Sequence, residues 1–444
     1  MSSHSRNRFL RLHALALLLL FALASQTWAQ LPTVEKVGCR GEWDAPTDVL
    51  MHTPGDELFL GVVHPEAALF ERAFDIETAA AEHRAYIDLL RQRGARVHTV
   101  VETLLAGTVD EAGKALPGAA LDELREFARG FITVDASALP KAERAEQNAY
   151  LDETLRALHP RELVEIILLR PTVHLRPSLV PNTRYAASYE LSPVMNLYFC
   201  RDQQITTALG VVMGRMNSEQ RAVETDIMRM VLHKLGITPI YEVTGDGRLE
   251  GGDFIPAGDT AFIGQGLRTN AEGVAQLLAH NAFGVPRVVV VKDPWKNQDQ
   301  MHLDTYFNIA GPKLAVLVED RMDVRDATGR IVKPARADRR SAIDVYEWTG
   351  DRYERRRADG DFQEFLEKEM SFTLVPVPNA DQLRYGVNFL CVGPMSILGV
   401  AGVSEEYKTS LKGVDAVWMD FANLTGGYGA AHCSVQVLHR EPTR

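Results

Sequence analysis

Cys433 closes a glycine-rich stretch, TGGYGAAHCSVQVLHR (425–440), and stands at the mouth of an alternating, strand-like segment. A thiol in that place can be a buried core side chain, half of a disulfide or a nucleophile. A nucleophile needs partners elsewhere in the chain, and three stretches offer them. In MHLDTYFNI (301–309), His302 and Asp304 are two apart within an apolar run; on a strand they share a face. In RLEGGDFIPAG (248–258), Glu250 and Asp253 flank two glycines, which permit a bulge or the close approach of a ligand. NLYFCRD (196–202) reads as an aromatic strand ending in Arg201 and Asp202. Taken singly, each has a bland reading: an exposed sheet face, an acid-decorated hairpin turn, a surface ion pair.

Acids and a histidine inside strand-like surroundings are costly if buried without partners. Two chemistries use such a set. Carboxylates and histidine can hold a metal, but that leaves the cysteine without a role. Carboxylates can instead grip a guanidinium, which is planar, always charged and suited to bidentate pairing. Its carbon is open to attack by a thiolate while a histidine moves protons. The second chemistry uses every part.

The elements that must position these residues read as a mixed α/β chain. DVLMHTPGDELFLGVV (48–63) reads as strand, Pro-Gly turn, strand. Residues 75–94 form an amphipathic helix capped by Gly94, and ARVHTVV follows as a strand. Residues 105–170 carry helical patterns with little strand signal and read as an insert. Beyond about residue 190, strands (TPIYEV, DFIPAGDTAFIG, PRVVVVKD, KLAVLVED, FTLVPVP, AVWMDFANL) alternate with helices at 219–236 and 270–284. Residues 320–370 are densely charged, with a weak hairpin and a helix, and read as surface. The alternation points to repeated small modules. No glycine-rich phosphate loop opens a helix, so nucleotide binding has little support.

The chain is long enough for a large core, with 46% hydrophobic and 24% charged residues. A net charge of −11 and the lack of a basic stripe argue against a nucleic-acid partner. Arg6, Arg8 and Arg11 precede ALALLLLFALA (14–24) and then SQTWAQ. This is the order of a secretory signal peptide cleaved after Ala29, the alternative being a retained anchor. Its loss would take the net charge to −14. The mature chain is therefore expected to be exported, periplasmic or secreted, and not membrane-bound. The four cysteines, Cys39, Cys200, Cys391 and Cys433, show no zinc-ligand spacing. Some could pair in an oxidising compartment, but Cys433 must stay free if it is the nucleophile.

In order, NLYFCRD, LEGGDF, MHLDTYFN and a glycine loop ending in HC resemble the arginine deiminases of the guanidine-modifying (pentein) superfamily. The opening at 48–94 and the helical insert fit that family too, so the resemblance covers nearly all of the chain after the signal. It implies a five-bladed, pseudo-symmetric α/β propeller over residues 30–444, with the helical insert at about 105–170 and a polar central site. By motif match, Cys433 is similar to the family nucleophile, His302 to the general acid/base, and Glu250 to a further catalytic acid. Asp202 and Asp304 match the carboxylates that hold the guanidinium. Asn196, Arg221, Arg268 and Asp253 are expected on the substrate, the two arginines at its α-carboxylate. The implied reaction converts L-arginine to citrulline and ammonia through an S-alkylthiouronium intermediate on Cys433, with no metal or organic cofactor. Several carboxylates near the thiol should keep it neutral in the empty site. Two positions depart from the family pattern. Cys200 stands for the usual threonine, and Tyr428 for an arginine about five residues before the nucleophile. Alternatives are a peptidyl-arginine or modified-arginine deiminase, a catalytically silent arginine-binding homologue, and a metallohydrolase. The partner expected is a small guanidino compound. A homo-oligomer is compatible with the sequence, which does not fix the oligomeric state.

Overall fold

The computed structural model describes residues 33–443. The expected signal segment and its cleavage point at Ala29 lie outside the described residues. Besides the sheet of the insert, which has the same plan, five sheets among these residues each have a central strand with an antiparallel neighbour on one side and a parallel one on the other. In the first sheet, Ala45–Met51 lies between Arg96–Thr99 (parallel) and Val435–Glu441 (antiparallel). Val211–Met213 centres the second, between Gln204–Thr206 and Tyr241–Glu242. The third is built on Thr260–Gln265, between Phe254–Ala257 and Arg287–Lys292. Leu314–Val318 centres the fourth, between Phe307–Gly311 and Thr373–Val377. Ser396–Val400 centres the fifth, between Leu390–Gly393 and Asp415–Met419. Parallel neighbours need a crossover, and helices supply it. Ile76–Gln92, Glu224–Lys234, Ala271–Ala279 and Glu405–Ser410 each join a central strand to its parallel partner.

The strands are short, and the central ones of the third and fourth sheets are largely apolar because both faces are covered. Val288–Val291 and Leu314–Val318 are buried throughout. Side chains, and in one place a backbone bridge, tie each sheet to the next. Gln436 Nε2 donates to Thr206 Oγ1 at 2.6 Å between the first and second sheets. Arg215 bridges to Leu249 between the second and third. Phe262 meets Phe307 edge-on between the third and fourth, with centroids 5.3 Å apart. Asn308 Nδ2 donates to the carbonyls of Val387 and Phe389 at 2.8 Å, joining fourth to fifth. Arg440 donates to the Cys391 carbonyl at 2.7 Å, joining fifth to first.

Four local expectations are corrected. Residues 56–63 are a helix, Asp56–Val63, and not a second strand. Gly55 precedes it, Asp56 and Glu57 lie in its first turn, and Glu57 Oε1 accepts from the Gly55 N–H at 2.8 Å; acids in a first turn favour a helix. NLYFCRD folds as consecutive turns, not a strand. His302 and Asp304 do not share a strand face, because Leu303–Thr305 is a 3₁₀ turn and the strand starts at Phe307. The insert has the expected helices (Ala119–Arg129, Lys141–Ala157, Pro160–Leu169), but it also carries a sheet of Thr133–Asp135, Pro171–Pro177 and Tyr185–Leu191. The charged stretch at 320–370 adds Ala342–Trp348 and Tyr353–Asp361 to the third sheet. All four cysteines are buried and unpaired.

Candidate active site

The turns that replaced the expected strands are what bring the site together. Gly251 and Gly252 have separate jobs. A Cβ on Gly251 would lie 1.9 Å from the Arg201 carbonyl, and the Gly251 N–H donates to the Asp202 carbonyl at 3.0 Å. The turn bearing Glu250 is thus locked backbone-to-backbone onto the turn bearing Asp202. A Cβ on Gly252 would lie 2.6 Å from Nδ1 of His302, so the imidazole rests directly on that glycine.

His302 Nε2 donates to Glu250 Oε2 at 2.9 Å, and its Nδ1 is 3.8 Å from Asp202 Oδ1. Burial disfavours charge on the ring, but Asp202, Glu250 and Asp253 outweigh it and push His302 up to about 9. Glu250 moves the other way: against its burial, the His302 contact pulls it down to about 2. Its other oxygen accepts from the Asn217 N–H at 2.9 Å.

Cys433 is buried at the turn before Val435–Glu441. Asn388, just ahead of the fifth sheet's first strand, holds it. Its Nδ2 donates to Sγ at 3.0 Å, and its Oδ1 accepts from the N–H groups of Ala430 and Cys433. Sγ lies 3.6 Å from Asp304 Oδ2. Burial first, then Asp304 and Asp202, push the thiol well above its ordinary value. The expectation of a neutral thiol in the empty site agrees with this.

Asp202 and Asp304 are both buried, and each has one oxygen engaged. Arg221 donates to Asp202 Oδ2 at 2.8 Å, and His432 Nδ1 donates to Asp304 Oδ2 at 2.7 Å. Oδ1 of each aspartate is buried and has no hydrogen-bond partner among the described residues. Orphaned acceptors of this kind are rare and costly, and mark places where a donor belongs.

The remaining expected residues divide. Asn196, Arg221 and Arg268 line the cavity with Asp202, His302 and Cys433. Arg221 is already committed: it pairs with Glu224 through Nε and NH2, with Asp202 through NH1, and with the Asn196 carbonyl. Arg268 is more open. It donates to Gln298 Oε1 at 3.1 Å, and its buried Nε has no partner. Asp253 does not line the cavity. Its Oδ1 accepts from the Leu303 N–H at 3.0 Å, so it steadies the turn carrying His302 and is not placed to touch a ligand. Burial pushes Asp253 up to about 6. Tyr428, in left-handed backbone conformation (φ 70°), lines both a cavity of about 20 Å³ that Cys433 also lines and a neighbouring one of about 200 Å³, as do Gln298 and Met301.

Asn388, His432, Glu224 and Gln298 had no place in the sequence reading. Asn388 carried a weak signal, a polar residue directly before a buried apolar strand. His432 was visible only as a neighbour of the cysteine. One ligand atom from each of Asp202, Glu250 and His302 lies within 4.8 Å of the others, close enough to gather a metal ion. Such an ion would displace the His302–Glu250 hydrogen bond and make no use of Asn388 or the thiol.

The sequence profile described as arginine deiminase matches residues 66–440, more than four-fifths of the chain. The chain belongs to the arginine deiminase family. Among curated members, it is 25% identical to the arginine deiminase of Halobacterium salinarum, covering 95% of this chain and 100% of that one. It is 26% identical to that of Mycobacterium avium, covering 66% and 73%. Two solved structures share the pentein-type fold at low identity. One is an amidinotransferase of saxitoxin biosynthesis from Microseira wollei (12% identity, TM-score 0.51, 92% of this chain and 98% of that one). The other is the N-terminal domain of a cyanobacterial arginine dihydrolase (14% identity, TM-score 0.50, 89% and 98%).

Proposed function

We propose that this chain is an arginine deiminase, hydrolysing L-arginine to citrulline and ammonia. The observation that carries the reading is the pair of orphaned oxygens, Asp202 Oδ1 and Asp304 Oδ1, in a buried site that also holds a thiol and a charged imidazole. A guanidinium supplies donors for both oxygens and the positive charge that the acids call for. Its binding also favours thiolate over thiol at Cys433. The thiolate adds to the guanidinium carbon, and His302 gives its proton to the departing nitrogen, leaving ammonia and an S-alkylthiouronium. The neutral His302 then takes a proton from water as the oxygen adds to the same carbon. The C–S bond breaks, the remaining hydroxyl proton passes to the departing sulfur, and citrulline and the Cys433 thiol are released; that thiol proton goes to solvent when the next guanidinium binds. The α-carboxylate falls to Arg268, with Gln298 beside it.

The five sheets of like plan, each tied to the next and the last to the first, fit a closed five-bladed propeller with the site at its centre. The insert at about 105–170 then decorates one blade. The N-terminal pattern fits export, and the N-terminal residue of the mature protein tests it. Tyr428 favours a second reading as well, because a tyrosine in place of the family's loop arginine opens onto the neighbouring cavity and gives an extended arginine compound somewhere to go.

Purified protein incubated with L-arginine, agmatine and an arginine peptide, with ureido product and ammonia measured, decides among these. L-Arginine should yield citrulline, Cys433→Ala should yield none, and a chelator should change nothing. Absence of citrulline from L-arginine, with turnover of the peptide alone, would transfer the assignment to the second reading.

A further inference from the structure

His432 precedes the nucleophile and is fully buried, yet the reaction as written makes no use of it. Its Nδ1 donates to Asp304 Oδ2 at 2.7 Å, and its Nε2 faces Glu42 Oε1 at 3.4 Å. Glu42 is in turn ion-paired with buried Arg440, which also donates to the carbonyls of Asp44 and Cys391. The His432 carbonyl accepts from Arg201 Nε at 2.6 Å, and its N–H donates to the Asn388 carbonyl at 3.2 Å. The ring is therefore fixed through its backbone on two sides, with one nitrogen toward the site and the other toward a buried ion pair behind it. Only the ring contact reaches a reacting group. Asp304 Oδ2 receives the His432 N–H and also lies 3.6 Å from Sγ.

We propose that His432 is a positioning residue for the guanidinium-binding carboxylate: its Nδ1–H holds Oδ2 of Asp304 so that Oδ1 is the oxygen presented to substrate. Without that donor the carboxylate can rotate about its Cβ–Cγ bond. Its full charge then faces the thiol, and the substrate loses an oriented acceptor. Glu42 and Arg440 hold the ring in place from behind. The inference rests on the reading that Asp304 binds the guanidinium.

Two substitutions separate this role from general support of the core. In His432→Asn, the amide nitrogen occupies the position of Nδ1 and can still donate to Asp304. In His432→Gln, the amide reaches the position of Nε2, toward Glu42, and leaves Asp304 undonated. His432→Gln should raise KM for L-arginine about tenfold, the worth of one charge-assisted hydrogen bond. It should also move the pH midpoint for alkylation of Cys433 upward. His432→Asn should recover most of both effects. Equal KM and equal alkylation midpoints in the two variants, with wild type active in the same assay, would overturn the proposal. So would losses in both that merely track their melting temperatures. A wild type that makes no citrulline would instead overturn the functional reading on which the inference stands.

Discussion

At neutral pH Asp202, Glu250 and Asp253 favour the protonated imidazole of His302, while burial, Asp304 and Asp202 favour the thiol at Cys433. The substrate's positive charge reverses only the second of these. It sits among the acids without taking the proton that His302 needs to give. The sign of one pH limb follows. The group pushed up to about 9 must be protonated to release ammonia, so kcat/KM should fall as pH rises through about 9. Glu250→Gln removes one of the carboxylates that raise His302 and should move that limb to lower pH. A pH–rate profile of the two proteins measures both. An alkaline limb that stays in place in the variant would show that another group is responsible.

Turns, more than strands, carry the chemistry, and this is where sequence reading was weakest. The apolar runs of the first, third and fourth sheets were legible, as were the crossover helices at Ile76–Gln92, Glu224–Lys234 and Ala271–Ala279, because burial on both faces and helical periodicity leave strong patterns; the short strands Gln204–Thr206, Val211–Met213, Leu390–Gly393 and Ser396–Val400 were not read. NLYFCRD and MHLDTY looked like strands because they are apolar and aromatic. They are apolar for another reason: their side chains line the packed centre while the backbone turns. Three residues of the site, Asn196, Arg221 and Arg268, came from motif resemblance alone. Arg221 and Arg268 have no local pattern that separates them from surface arginines. Asp253 was assigned with the acids around it, although its partner is a backbone N–H fifty residues away. Asn388 was missed because its role depends on contact with a loop 45 residues further along. The glycine pair in EGGD is now specific enough to test. Gly252→Ala places a methyl group where the His302 ring lies. The ring must move by roughly an ångström, and kcat should drop about a hundredfold. The far-ultraviolet circular dichroism spectrum and the affinity for a non-reactive guanidinium ligand should stay near wild type. A drop in ligand affinity with kcat preserved would contradict this account.

Over the whole molecule, the polar centre is held by charges paired out of water. Arg440 is among the largest fully buried side chains, and with Glu42 it joins segments 398 residues apart. Removing one partner of such a pair leaves the other buried and uncompensated, at a cost of about 3–5 kcal/mol. Arg440→Met should therefore lower the denaturation midpoint strongly, and adding Glu42→Gln should recover part of the loss. Equal midpoints for wild type and Arg440→Met would remove the pair from any account of stability. The pairing of Val435–Glu441 with Ala45–Met51 also bears on when the protein can first act. Ribosomes add residues at about 5–20 per second, and domains build from the N-terminus onward. Asp202, Glu250, His302 and Asp304 are all made before Cys433. The nucleophile enters register only when the strand that follows it closes onto one made near the start of synthesis. Chemical competence therefore waits on one pairing between distant segments, which brings the thiol and the His432 donor to the acids together.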